Sequence, residues 1–240
     1  MSHTLFISDL HLAPERPRAS EQFFQFISGA AAEAGALYIL GDLFERWVGD
    51  DDLDDGFNAS IAGALRALSS KGVPLYFMQG NRDVLAGRVF TARCGASLIE
   101  DPTSIDLHGT RTLLMHGDTL CTDDVEYQKF RIYAHDPENQ RKFLAQPLAE
   151  RRKQMLEMRA ESEMSKQTKS ASIMDVASAA VEKALREHGY PRLIHGHTHR
   201  PARHAHTVDG RQCERWVLTD WYGRAGYLHC NQGGCKAIAL

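Results

Sequence analysis

Two side chains two residues apart, Asp9 and His11, follow the apolar start Phe6-Ile7-Ser8 near the amino terminus. On a strand, positions i and i+2 face the same way, so a carboxylate and an imidazole would leave its end side by side, at the spacing of a metal-ligand pair. Alone, residues 6–11 read equally well as a turn cap beside a half-buried histidine. Four further ligand-rich turns shift that balance, each placed directly after a strand-like apolar run. They are Gly41-Asp42 after 36–40, Gly80-Asn81-Arg82-Asp83 after 73–78, His116-Gly117-Asp118 after 111–115 and Gly196-His197-Thr198-His199 after 192–195. Asp9, His11, Asp42, Asn81, His116, His197 and His199 make a set of oxygen and imidazole donors without a thiolate. That is enough for two divalent cations of the Mn²⁺, Fe²⁺ or Zn²⁺ kind. Two cations about 4 Å apart activate water and bind phosphoryl oxygens, which suits in-line displacement at phosphorus. Asp42, a carboxylate able to bridge, is the expected shared ligand, and Arg82 offers a planar donor fork for charge developing on phosphate.

These turns need a sheet to hold them, and the chain alternates accordingly. A strand over 4–10, a helix from about Ser20 with Phe23, Phe24 and Ile27 on one side, and a strand over 36–40 open a βαβ pattern. The acidic run Asp50, Asp51, Asp52, Asp54, Asp55 reads as a solvated loop capping the helix over 56–70. A strand over 73–78, a helix near 86–94 and a hairpin of 104–107 with 111–115 follow. Ligand sites of open α/β sheets gather at the carboxyl ends of strands, where all five turns are expected. Asp209-Gly210 marks a later hairpin, and short strands finish the chain.

Between 123 and 189 the pattern is helical. Phe130, Phe143, Leu144, Leu148, Met155, Leu156 and Met158 are mixed there with basic residues, ten Lys or Arg against six Asp or Glu over 129–169. The ordinary reading of such a stripe is packing against the body. The functional one is a cap with an apolar inner surface and a cationic rim, suited to a ligand carrying both phosphate and hydrocarbon. Ser162 to Ser172 lacks apolar periodicity and is expected as a loop, with a last helix over 173–188.

At 240 residues, 43% hydrophobic and 25% charged, the chain suits one sizeable core. The formal net charge of −3 gives no reason to expect nucleic acid, and no obligate protein partner is inferred. The start lacks a signal segment and no apolar run suffices to span a bilayer, so a cytoplasmic place is expected. Five cysteines without a Cys-x-x-Cys pair read as reduced and packed. Zinc at Cys230 and Cys235 is a weak alternative.

Asp-x-His, Gly-Asp, Gly-Asn, His-Gly and Gly-His-x-His in this order resemble the calcineurin-like metallophosphoesterases, over Asp9 to His199. Many members carry a histidine after the Asn where this chain has Arg82. That departure argues against a protein phosphatase and against a histidine general acid, and fits a leaving group that needs little protonation. Longer segments, Leu-Tyr-Ile-Leu-Gly-Asp-Leu-Phe-Glu, Met-His-Gly-Asp-Thr-Leu-Cys-Thr-Asp-Asp and Ile-His-Gly-His-Thr-His-Arg-Pro-Ala, resemble the branch of that family that hydrolyses an acylated UDP-glucosamine in lipid A biosynthesis. The resemblance implies a four-layer α/β/β/α fold as a single domain over 1–240 with a helical cap at 123–189, and a Mn²⁺ pair. Asp9, His11 and His199 would hold one ion and Asn81, His116 and His197 the other, with Asp42 between. It further implies substrate contacts at Asn81, Arg82, Asp124, Ser162, Lys166, Lys169 and His197, a lipid-linked UDP-sugar as substrate, and docking on the cytoplasmic face of the inner membrane. His195 is expected packed beneath the site. The competing readings are a soluble nucleotide-sugar pyrophosphatase or phosphodiesterase and a non-catalytic interaction module on the same fold.

Overall fold

The computed structural model describes residues 3–168, 173 and 175–240, and only the backbone of 163 and 165–168. In chain order it runs β1 (Thr4–Ile7), α1 (Pro17–Ser28), β2 (Ala36–Leu40), α2 (Gly56–Ser70), β3 (Leu75–Met78), α3 (Arg88–Cys94), β4 (Ala96–Ile99), β5 (Thr103–Leu107), β6 (Thr110–Met115), α4 (Val125–His135), α5 (Pro137–Leu144), α6 (Leu148–Thr168), α7 (Ser178–Glu187), β7 (Arg192–His195), β8 (Ala202–Val208), β9 (Arg211–Val217), β10 (Gly226–Asn231) and β11 (Gly234–Ala239).

The strands form a six-stranded sheet, β11-β10-β1-β2-β3-β4, and a five-stranded one, β5-β6-β7-β9-β8. β1 to β4 are parallel, as are β6, β7 and β9. The central strands are apolar on both faces because both are covered. Leu5, Ile7, Leu37, Ile39, Leu75 and Phe77 face α1, α2 and α3, packing on Phe23, Phe26, Ile61 and Leu65. Phe6, Leu40 and Met78 face the other way, onto Leu114, Ile194 and Leu218 of the second sheet. Leu113, Met115 and Leu193 then meet Val181 and Leu185 of α7. The order of layers is therefore α/β/β/α, as the resemblance implied.

Several local expectations are corrected. β1 stops at Ile7, and Asp9 and His11 sit in a turn with φ of 55° and 49°, so strand alternation is not what aligns them. In α1 the buried stripe is Ala19, Phe23, Phe26 and Ile27, one face at 100° per residue, which leaves Phe24 exposed. Helix α6 continues to Thr168, so Ser162 is helical and not in a loop. Residues 148–168 contain no Gly or Pro and are rich in strong helix formers. α7 starts at Ser178, later than expected. Cys230 and Cys235 are joined in a disulfide instead of reduced: the β10–β11 hairpin sets them directly opposite each other. Cys94, Cys121 and Cys213 are buried and stand outside any disulfide, as expected.

The acidic run is not simply solvated. Asp55 caps α2 through Phe57 N as anticipated, but Asp50 accepts from Gly87, Val89 and Phe90 N and so caps α3. Asp51 and Asp52 take the guanidiniums of Arg151 and Arg152, which moors α6 to the body. By contrast α4 and α5 bury no residue fully.

Candidate metal centre

All five ligand-bearing turns follow the carboxyl ends of parallel strands, β1, β2 and β3 in one sheet and β6 and β7 in the other. Backbone hydrogen bonds stitch them together: Asp9 N to Gly41 O (3.1 Å), His11 N to Asp42 O (3.0 Å) and Gly196 N to His116 O (2.8 Å). The approach is close enough that a Cβ on Gly41, itself at φ 88°, would stand 2.5 Å from His116 Nδ1 and 2.7 Å from Gly80 Cα. Asp9, His11, Asp42, His197 and His199 all adopt positive φ, between 49° and 69°. A left-handed backbone at a non-glycine residue persists only where its surroundings hold it, and such residues concentrate at functional sites.

The turns bring together all seven residues singled out in the sequence, in two groups. Asp9, His11 and His199 present one donor atom each within 4.8 Å of one another, and so do Asp42, His116 and His197. Asn81 Oδ1 joins the second group, 3.1 Å from His116 Nε2 and 3.0 Å from His197 Nδ1. Asp42 lies between the groups, Oδ2 3.8 Å from His11 Nε2 and Oδ1 3.8 Å from His116 Nε2.

The donor chemistry fits cations. His11 Nε2 and His199 Nε2 face each other at 3.2 Å, and His199 Nε2 stands 3.5 Å from Asp9 Oδ1, a buried oxygen without a hydrogen-bond partner. Such convergence of lone pairs in a buried pocket asks for positive charge. The titrating groups respond in kind. Burial pushes Asp9 up, but His199, His116 and His11 outweigh it and hold the carboxyl well below the carboxylate range. Burial opposes a charged His116, yet Asp42, Asp118 and Asp9 raise it to about 9. His197 goes the other way, to about 4, through burial and the neighbouring His116.

Around these groups stand residues that motif spacing had not assigned. Ser8 Oγ donates to Asp9 Oδ2 at 2.5 Å. Asp83 accepts from Gly80 N (2.8 Å), Asp42 N (3.2 Å) and Leu43 N (2.7 Å), and so holds two ligand turns together. Burial and the nearby Asp42 raise it to about 7. Glu45 Oε2 lies 3.1 Å from His11 Nδ1. Burial would raise Glu45, but His11 and Arg82 bring it down to about 2. Both acids sat inside quoted motifs, at i+3 from Asp42 and directly after Arg82, so a signal was present. Tyr222, Arg16 and Tyr127, which pack about the histidines, had none.

Of the remaining expectations, Arg82 is 3% exposed, with Nη1 3.7 Å from Glu45 Oε1 and its backbone N donating to Asp42 Oδ1 at 2.7 Å. Asp124 caps α4 through Tyr127 N at 3.1 Å. Ser162 is half-buried on α6, away from any motif turn in sequence. Lys166 falls on the same helix, but its side chain lies outside the described residues, as does Lys169 altogether. His195 is fully buried beneath the site, bonded to Gly196 O (2.9 Å) and Arg215 Nη1 (3.1 Å). Burial and that guanidinium lower it to about 3.

Two sheets whose parallel strands deliver Asp, Asn and His to one edge, around a shared carboxylate, define a metallophosphoesterase. Residues 2–201 match the calcineurin-like phosphoesterase family, and the chain belongs to it. It is 54% identical over 230 residues to a protein of Aromatoleum aromaticum named UDP-2,3-diacylglucosamine hydrolase, spanning 96% of this chain and 94% of that one. Proteins of the same name from Chromobacterium violaceum (50% over 237 residues, 98% of each chain) and Stenotrophomonas maltophilia (46% over 244 residues, 99% and 98%) are similar throughout.

Proposed function

We propose that the chain hydrolyses the diphosphate of UDP-2,3-diacylglucosamine by attack of water on the α-phosphate, giving UMP and 2,3-diacylglucosamine 1-phosphate for lipid A biosynthesis. The observation that carries this reading is the convergence of seven donors in two groups joined by Asp42, in a chain whose full-length relatives bear the name of that hydrolase. Asp9, His11 and His199 would hold one ion and Asn81, His116 and His197 the other, with Asp42 touching both. Mn²⁺ is the proposed metal. When bound, such a pair supplies positive charge to phosphoryl oxygens and lowers the pKa of water.

The chain's own residues do the rest. Arg82, buried beside Glu45, offers its guanidinium to the phosphate, and Glu45 orients it. No histidine follows Asn81, and the leaving group, a phosphate monoester, needs little protonation. The helical segment over 123–189 would act as a cap. Phe130, Leu144 and Leu156 are exposed on it, apolar surface that two acyl chains can cover. Its excess of Lys and Arg suits the diphosphate, with Asp124, Ser162, Lys166 and Lys169 as proposed substrate contacts. Among the described residues no helix is long and apolar enough to cross a membrane, so access to the lipid is proposed through peripheral docking on the inner membrane.

The test is hydrolysis of the diacylated UDP-glucosamine in ¹⁸O-labelled water with Mn²⁺ present. Label in UMP is expected. Label in the lipid phosphate would move the attack to the other phosphorus, and equal turnover of UDP-sugars lacking acyl chains would replace the lipid substrate with a soluble one.

A further inference from the structure

Four histidines converge on the centre, and they are braced in two ways. His11 and His116 are held through the ring nitrogen that points away: His11 Nδ1 faces Glu45 Oε2 at 3.1 Å, and His116 Nδ1 donates to Leu40 O at 2.9 Å. His197 and His199 arrive on one short turn, both with left-handed backbone, and each is backed by a tyrosine ring. Tyr222, in the loop between β9 and β10, lies 5.5 Å from the His199 ring and 4.9 Å from His11, tilted by 35° and 37°. Tyr127, on α4, lies 5.6 Å from the His197 ring, tilted by 34°.

Each tyrosine is itself tethered to a carboxylate that also faces a guanidinium. Tyr222 Oη donates to Glu45 Oε2 at 3.0 Å, and Arg82 Nη1 stands 3.7 Å from Glu45 Oε1. Tyr127 Oη donates to the buried Asp118 Oδ2 at 2.7 Å, and Arg131 Nε donates to the same oxygen at 2.8 Å. Tyr222 has a second hold. Arg16 lays its guanidinium 3.9 Å from the ring centroid while donating to Leu10 O, His11 O and Trp221 O, so it ties the ring to the turn that carries His11. Tyr222 stays 52% exposed beside the site with the guanidinium and two imidazoles packed about its ring.

We infer that Tyr222 and Tyr127 are positioning residues, one for each half of the metal centre, whose rings set the orientation of His199 and His197. This rests on the reading of the centre as a pair of cations. Groups behind a ligating histidine fix its ring for the metal, and their loss commonly weakens metal binding roughly 10-fold to 100-fold. Here an aromatic face takes the place that a carboxylate or carbonyl holds behind His11 and His116. Because Tyr127 belongs to the helical insertion and Tyr222 to the body, the two halves of the centre are braced from different parts of the chain.

The test is a titration of the metal-free protein with Mn²⁺, read from the electron paramagnetic resonance signal of the unbound ion. The wild type, Tyr222→Leu, Tyr222→Phe and Tyr127→Leu are compared, with a thermal melt of each metal-free form. The wild type is expected to bind two ions. Tyr222→Leu should lose affinity for one of them by roughly 10-fold to 100-fold and keep the other. Tyr222→Phe, whose ring Arg16 still holds, should retain most of it. Tyr127→Leu should show a one-site loss of the same order. Should it not fold, Tyr127→Phe is read instead, since the hydroxyl is that ring's tether to Asp118. Wild-type affinities in the Leu variants would overturn the inference. So would equal loss at both sites together with a lowered melt, because that marks a structural effect alone. A wild type that binds no pair of ions would overturn the reading of the centre itself.

Discussion

Asp42 is the residue on which both groups depend. Its two oxygens each lie 3.8 Å from an imidazole of a different group, and its backbone is pinned by Asp83. Asp42→Ala or His116→Ala is therefore expected to abolish turnover while the circular dichroism spectrum stays native. A near-normal kcat in either would contradict two-ion chemistry. Arg82 stands beside this cluster without entering either group, and is the proposed donor to charge that develops on phosphate. Arg82→Ala should lower kcat by about 10²-fold, the loss typical of removing one such donor, and steady-state kinetics would show it. An unchanged kcat with a raised KM would confine Arg82 to substrate binding.

At the scale of elements, the pairing of α6 with the acidic run moors that helix to the body. Arg151 is 2% exposed and donates to Val48 O, Gln146 O and Asp51. Asp51 remains largely exposed, so its loss of a partner strands no buried charge. Arg151→Gln is expected to cost about 2 kcal/mol, in the range of hydrogen bonds to a charged group, and to raise amide exchange along α6. A wild-type exchange pattern would mean that α6 is held elsewhere. The sign of the pH dependence follows from the same pair. The hydrogen bond from Arg151 holds Asp51 below its ordinary value, so its contribution is fully present at neutral pH and is lost as pH falls through the carboxylate range toward the folded value. In Arg151→Gln the acid limb of stability against pH should flatten, as urea titrations at successive pH values would report.

For the molecule as a whole, the centre joins the two sheets, and filling it stabilises the fold by mass action. Free Mn²⁺ at about a hundredfold excess over its Kd should add about 2.7 kcal/mol per site. The melting midpoint should rise with Mn²⁺ and fall back with EDTA. An unchanged midpoint would contradict cation binding among these buried donors. The exposed apolar side chains Val125, Ile132 and Tyr133 on α4, beside a locally basic insertion, are the proposed membrane-facing surface. The protein should pellet with anionic liposomes, and Ile132→Ser with Tyr133→Ser should weaken this. Equal pelleting of the double variant would place the contact elsewhere.

The sequence by itself determined the α/β class, the order of the five ligand turns and all seven residues that converge. A carboxylate or imidazole placed just after an apolar parallel strand has only the sheet edge to occupy, and that relation is local. It also carried the motifs by which the family is recognised. The tertiary structure alone decided how Asp9 and His11 align, since a left-handed turn held by Gly41 O and Asp42 O, not strand alternation, orients them. It decided that Asp50 caps α3 and that Asp51 and Asp52 moor α6, where the sequence pattern offered a solvated loop. It decided the Cys230–Cys235 pairing, which follows from the register of one hairpin. It also brought Arg16, Tyr127 and Tyr222 to the histidines. Their places depend on packing between segments far apart in the chain, and no spacing within one segment encodes such contacts.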